Sequence, residues 1–131
     1  LTPEEFEIVK RHVEIGTNLL SSIDVEEFAK DLILYHYERW DGKGYLARMA
    51  GDSIPISARI TALADSLDAM LTKRPYKEAL PFDEVAREIE ADSGKRFDPA
   101  VVEAFRADRE SFREISAGAT SRYCRSFRDP E

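Results

Sequence analysis

The sequence predicts an all-α fold, and three observations carry that prediction. Apolar residues recur at close to helical spacing along almost the whole chain. Pro, Gly and Asp fall where helices should start and stop. No internal repeat or low-complexity segment interrupts the pattern. The 131 residues, 43% apolar and 34% charged, with a mean hydropathy of -0.44, describe one ordinary soluble domain. A chain of this length buries roughly two-thirds of its unfolded surface and needs no disulfide or structural zinc.

The elements follow in order. Thr2-Pro3-Glu4-Glu5 is a helix start, with Thr2 as cap, Pro3 at the first helical position and Glu5 completing a capping box. This helix should run to about Leu20, with Phe6, Val9, Val13 and Leu20 as its apolar stripe. Asp24 is expected to cap a second helix reaching about Glu38, with Val25, Phe28, Ala29, Leu32, Ile33 and His36 facing inward. Residues 39–53 hold Gly42, Gly44 and Gly51 and read as a loop. A third helix follows Pro55, with Ile56, Ile60, Leu63, Leu67 and Leu71 inward, and stops before Arg74-Pro75. A fourth spans about Pro81 to Asp92, ahead of Ser93-Gly94. The fifth starts at Asp98-Pro99, carries Val101, Val102, Phe105 and Phe112, and fades near Ala117-Gly118. The expected division is a helical domain over 1–117 and a tail over 118–131, ordered only where it docks.

Charge narrows the function classes. Nineteen basic against 26 acidic residues give a net charge of -7, which opposes non-specific attraction to nucleic acid or an anionic membrane. Neither is an expected partner. No apolar run approaches the ~18–20 residues that span a bilayer, and no signal-peptide pattern opens the chain. The single cysteine, Cys124, cannot form an intramolecular disulfide, in keeping with a reducing cytoplasm. The chain does not begin with Met and is expected to be processed or cut from something longer. In the tail, Arg122, Arg125 and Arg128 with Tyr123 and Phe127 could dock on the acidic body of the same chain or of a second copy in a homo-oligomer.

Polar residues on an apolar helical stripe are the informative ones, because burying an unpartnered imidazole or carboxylate costs roughly 2–7 kcal/mol. His12 and His36 both sit at core-like positions. Each reads either as a core histidine bonded to a carbonyl or carboxylate, or as a metal ligand. Asp65 and Asp68 form a polar strip on the third helix with Thr61 and Thr72, a solvated face in the plainer reading. If Asp65 turns toward the histidines, two imidazoles and one carboxylate suit Fe, Mn or Zn with open coordination positions. After the third helix, Arg74-Pro75-Tyr76-Lys77 pairs a planar fork with a mobile point charge, a combination suited to phosphate. Two cations at a helix end also simply complement its dipole.

The order of these pieces resembles the HD-GYP family. The residues that carry the resemblance are Leu1 to Glu7, Lys10-Arg11-His12, His36-Tyr37-Glu38-Arg39-Trp40-Asp41-Gly42-Lys43-Gly44-Tyr45 and Gly51-Asp52-Ser53-Ile54-Pro55. Asp65, Arg74 to Lys77 and Phe97-Asp98-Pro99 continue it, and it covers residues 1 to about 105. The resemblance implies an HD-domain-like helical bundle with about five main helices, lacking the N-terminal part of the family fold. It implies a metal-dependent phosphohydrolase of cyclic di-GMP, with His12, His36 and Asp65 as metal ligands, Tyr45 near the substrate, and Arg74 and Lys77 on the nucleotide. A diguanylate cyclase-type domain is the protein partner it suggests.

This sequence also departs from the family pattern. No His-Asp dipeptide occurs in the 131 residues. Tyr37 stands where the family has a second consecutive histidine, and a phenol with a pKa of about 10 must ionise before it ligates. Leu46 replaces the proline of Gly-Tyr-Pro, and Arg48 stands where glycine is usual, which should change the freedom of the loop. The expected result is a degenerate or truncated domain that holds at most one divalent metal, Fe, Mn or Zn. It would bind cyclic di-GMP or a related nucleotide without hydrolysing it alone and so has no catalytic residue of its own. The alternative is the main part of a phosphodiesterase whose His-Asp segment lies outside this chain.

Overall fold

The computed structural model describes residues 2–22, 24, 26–73 and 77–126, with side chains to residue 118. Among the described residues, six α-helices and one short 3-10 turn make up the regular structure: α1 Pro3–Leu20, α2 Glu27–Tyr35, the turn Gly51–Ser53, α3 Ile56–Leu71, α4 Phe82–Ala91, α5 Pro99–Ala107 and α6 Arg109–Ser126. Among the described residues there is no β-strand; an isolated bridge joins Ser93 and Phe97. No helix is long and apolar enough to cross a membrane.

α1 starts as its sequence dictates. The Thr2 hydroxyl accepts from the Glu5 backbone N–H at 3.1 Å, and the Glu5 carboxylate accepts from the Thr2 N–H at 2.7 Å. At α2 the expectation fails: the cap falls at Glu26, with no side-chain capping bond, instead of at Asp24. The helix stops at Tyr35 with His36 as its C-cap, three residues before the expected end. Of its expected inward residues, Val25 lies outside the described residues, and Phe28 is 61% exposed.

The expected last helix is two. Asp108 (φ -119°, ψ 29°) leaves helical geometry and separates α5 from α6. The backbone of α6 then continues through position 118 to Ser126, whereas residues 127–131 and the tail side chains expected to dock lie outside the described set.

The core lies in α3 to α5. Leu63, Leu67 and Met70 of α3 meet Val85, Ala86 and Ile89 of α4, then Phe97 and Val102 and Phe105 of α5, with Phe112 of α6 packed against them. α1 packs on α2, and α2 on α3, so the first two helices form a layer outside that core. This is why the expected α1 stripe is only partly buried: Val13 is fully covered, but Phe6 and Val9 are 47% and 40% exposed. Ile56 and Ile60, expected inward on α3, are also exposed, while Ser57 and Ala58 are buried in their stead.

One ion pair fixes the start of α3 against the start of α5. Arg59 Nη1 donates to Asp98 Oδ2 at 2.6 Å and Arg59 Nε donates to the Ile54 carbonyl at 2.9 Å. The other oxygen of Asp98 caps α5 by accepting from the Ala100 N–H at 2.8 Å. Asp98 is 4% exposed; with both oxygens engaged, the charge is compensated where it is desolvated.

Candidate functional site

The imidazoles of His12 on α1 and His36 at the end of α2 have ring centroids 5.7 Å apart. Each is fixed by its own helix. His36 Nδ1 lies 3.0 Å from the carbonyls of both Leu32 and Ile33, and His12 Nδ1 bonds the Val9 carbonyl. A carbonyl only accepts, so Nδ1 carries the proton in both rings. In the neutral imidazole this leaves the lone pair on Nε2, the arrangement in which a histidine ligates a metal. The two readings of these histidines therefore combine, since the carbonyl bond satisfies one nitrogen and frees the other. The inward expectation holds only in part: His36 is half-buried, whereas His12 is exposed. His12 shares its stripe with Ile15 and Leu19, which are also exposed.

Tyr37 packs against both rings, edge-on to His12 at 5.3 Å and tilted to His36 at 4.5 Å. Asp65 of α3 shares a cavity of about 640 Å³ with His36, a size within the usual range for small-molecule sites. His12 is not among the residues that line it. Asp68 is solvated and accepts from the Thr72 hydroxyl at 3.4 Å. Among the described residues, no three His, Cys, Asp or Glu side chains converge as a ligand set.

The two imidazoles are close enough to reach one divalent cation. Two rings meeting one ion head-on, with metal–nitrogen bonds of roughly 2.1 Å, keep their centroids within roughly 6.5 Å of each other, and the observed 5.7 Å lies inside that limit. Asp65, the candidate carboxylate, does not converge with the two rings as a ligand set.

The glycine loop lines the same cavity. Gly44 is required by space: a Cβ there would lie 2.5 Å from the Arg39 nitrogen and 2.7 Å from the Tyr37 oxygen. That contact folds the chain back so that the Tyr45 N–H donates to the Tyr37 carbonyl at 3.1 Å. Beyond it, the buried Glu38 carboxylate accepts from the Ala47 N–H at 2.6 Å and from the Met49 N–H at 3.1 Å. Arg39 grips Asp41 with two bonds, at 3.0 and 2.7 Å. The Arg39 guanidinium holds the Asp41 carboxyl down to about 2.

The two departures in this loop are visible in its backbone. Leu46 has φ +93°, which a proline ring cannot adopt, and Arg48 has φ +52°, in the left-handed region glycine favours. The loop thus follows a path that Gly-Tyr-Pro cannot follow, and it keeps a glycine-like conformation at Arg48 without the glycine.

Tyr45 stands in the cavity wall with its hydroxyl 3.4 Å from Glu14 Oε1, the acceptor of its proton. Desolvation, then the Glu14 carboxylate, hold this phenol above its ordinary pKa, so it is a neutral donor at pH 7. The Lys10 ammonium lies 4.9 Å from the rings of both Phe6 and Tyr45. Lys43 and Lys77 complete a basic lining. Arg74 lies outside the described residues. Sequence reasoning missed Glu38, Lys10 and Arg96, all of which line this cavity; only Glu38's place beside the glycine loop, whose backbone N–H groups need an acceptor, offered a signal.

A helical scaffold that carries paired imidazoles beside a basic cavity defines a class, and comparison with known proteins specifies it. Residues 1–101 match the HD domain family. The chain is 50% identical over 107 residues to a cyclic di-GMP phosphodiesterase of Thermotoga maritima, covering 80% of this chain and 29% of that protein. It is 44% identical over 124 residues to a cyclic di-GMP phosphodiesterase of Vibrio cholerae, covering 89% of this chain and 25% of that one. The crystal structure of a cyclic GMP-AMP-specific phosphodiesterase of Vibrio cholerae superposes with a TM-score of 0.67 at 27% identity, over 84% of this chain and 25% of that chain.

The chain belongs to the HD domain family, in its HD-GYP branch. It spans between a quarter and a third of the length of these relatives.

Proposed function

We propose that these 131 residues form a nucleotide-binding or regulatory module of cyclic di-GMP signalling. The module holds cyclic di-GMP or a related cyclic dinucleotide and about one divalent cation, Fe, Mn or Zn, and does not hydrolyse the nucleotide alone. The observation that carries this reading is the His12–His36 pair, each ring with Nδ1 tied to a carbonyl and Nε2 left as a ligand, beside a cavity lined by Tyr45, Lys43 and Lys77. His12 and His36, with Asp65 as the third candidate ligand, would hold the cation. A cation bound there would polarise a phosphodiester and acidify a water. Tyr45 would donate its hydroxyl proton to a phosphate or base oxygen in exchange for its 3.4 Å bond to Glu14, and Lys77, with Arg74, neutralises the phosphates. Tyr37 in place of a second histidine supports binding without turnover. The exposed Leu46-Ala47-Arg48 segment is the surface this reading gives to a diguanylate cyclase-type domain.

A second reading is favoured by one observation, that the 44–50% identical relatives are named cyclic di-GMP phosphodiesterases and are three to four times longer. In it, the chain is the main part of a metal-dependent phosphodiesterase whose His-Asp segment lies outside these residues. Metal analysis of the purified chain together with a cyclic di-GMP hydrolysis assay separates the two. About one metal per chain, nucleotide binding and no turnover support the module. Two or more metals with turnover would overturn it in favour of the enzyme.

A further inference from the structure

We infer that Arg96, in the turn between α4 and α5, is a phosphate-binding residue of the cyclic-dinucleotide site. This rests on the proposed function, and the observations behind it are independent of the histidine pair. Arg96 lines the same cavity as His36, Asp65 and Tyr45. Its Nη2 donates to the Ser66 hydroxyl at 3.0 Å and its Nη1 donates to Asp92 Oδ2 at 3.3 Å. Its guanidinium carbon lies 4.9 Å from the Phe97 ring, and that ring is 2% exposed. The backbone is pinned as well, since the Arg96 carbonyl accepts from the Trp40 N–H at 3.2 Å and the Lys95 carbonyl from the Asp41 N–H at 2.9 Å.

The planar cation is thus held by its neighbours and not fully used by them. Of five guanidinium N–H donors, two are engaged among the described residues, and the side chain is 41% exposed. An exposed i,i+4 ion pair such as Arg96–Asp92 contributes too little to account for this arrangement by itself. Ser66, which steadies the fork, directly follows Asp65, the candidate ligand on α3. The open donors thus belong to a side chain that lines the same cavity as Asp65, Tyr45 and Lys77. Arg donors in a fixed fork match two phosphoryl oxygens, as a lysine cannot.

The test is calorimetric binding of cyclic di-GMP to the purified chain, with metal content measured in the same samples. Arg96→Ala should weaken binding roughly tenfold or more and leave the metal content as in the parent. Arg96→Lys, which keeps the charge and the aliphatic stem, should fold normally and recover less than half of that loss in log Kd. Ser66→Ala should weaken binding by a smaller factor, about two- to threefold, by loosening the fork. If the parent binds and Arg96→Ala or Arg96→Lys binds equally well, Arg96 is only a structural partner of Asp92 and the inference falls while the proposed function stands. If the parent itself does not bind cyclic di-GMP, both fall together.

Discussion

Arg59 and Asp98 form an ion pair of 2.6 Å between α3 and α5, at side-chain exposures of 17% and 4%. The pair stands where the glycine loop, α3 and α5 meet, with the Arg59 guanidinium carbon 6.0 Å from the Trp40 ring. Removing one member leaves the other desolvated and unpaired, which costs about 3–5 kcal/mol. Arg59→Ala should therefore lower the unfolding free energy by about that amount in urea titration. Asp98→Ala should cost about 1 kcal/mol more, because it also removes the α5 cap. Equal and small effects, under about 1 kcal/mol, would show that the pair is not desolvated as described.

Glu38 governs the loop. Both its oxygens accept backbone N–H groups, from Ala47 and Met49, and just before them Leu46 keeps a φ of +93°, a conformation costing about 1–3 kcal/mol for a residue other than glycine. Glu38→Gln turns one acceptor into a donor facing an N–H. Hydrogen exchange at the Ala47 and Met49 amides should speed up about tenfold or more, with the α4 and α5 amides unchanged.

The same backbone makes a prediction that runs against the family pattern. Leu46→Pro restores Gly-Tyr-Pro in the sequence, but the proline ring requires φ near -65° where the chain has +93°. The variant should lose stability, by about 1–3 kcal/mol, or shift the loop and release Glu38. Leu46→Gly should instead gain about 1 kcal/mol through relief of strain. Thermal melts of the two variants beside the parent decide it, and a Leu46→Pro variant as stable as the parent, with Glu38 still engaged, would contradict the loop path.

Legibility in the sequence followed the range of the interaction. α1 was readable because its signal is local, a capping box within four residues that the structure reproduces bond for bond. The helical class and the boundaries of α3 and α4 were readable from period and proline. Stripe position placed both histidines inward, which holds in part for His36 and fails for His12, because α1 packs on α2 outside the main core. Glu38 and Arg96 were hidden for a different reason. Their partners are 9 to 11 and 30 residues away, and only the reversal at Gly44 and the turn after α4 bring them together. The early stop of α2 belongs with Glu38, since a helix extended to that residue could not turn its carboxylate back onto residues 47 and 49.

Asp41 gives the molecule a defined acid limit. Hydrogen bonding from Arg39 lowers its folded pKa from 3.8 to about 2. A depressed folded pKa means that the unfolded chain binds the proton first as pH falls. The contribution of the pair is therefore complete above the unfolded pKa, near 4, and is lost as pH falls toward 2. Asp83 adds in the same direction, held low first by Arg113 and then by Arg109. The stability difference between the parent and Asp41→Asn should be constant from pH 7 to about pH 5 and shrink toward zero near pH 2. A difference that grows on acidification would reverse the sign and contradict the assigned pairing.

The imidazole pair yields the last prediction. Both rings bond a carbonyl through Nδ1, so in the neutral imidazole Nε2 is the nitrogen open to a metal, and with centroids 5.7 Å apart the proposed cation would take one bond from each. Removing either ligand should then cost nearly as much metal as removing both, because a single remaining imidazole has no chelate partner. His12→Ala and His36→Ala, measured by equilibrium dialysis against Zn²⁺, should each lose about tenfold or more in affinity, and the double variant only slightly more than either. Tyr37→His supplies an imidazole in contact with both rings and should raise metal affinity or stoichiometry. Independent, additive losses in the two single variants would mean two separate weak sites in place of one shared ion. Unchanged affinity in both would remove the histidines from metal binding altogether.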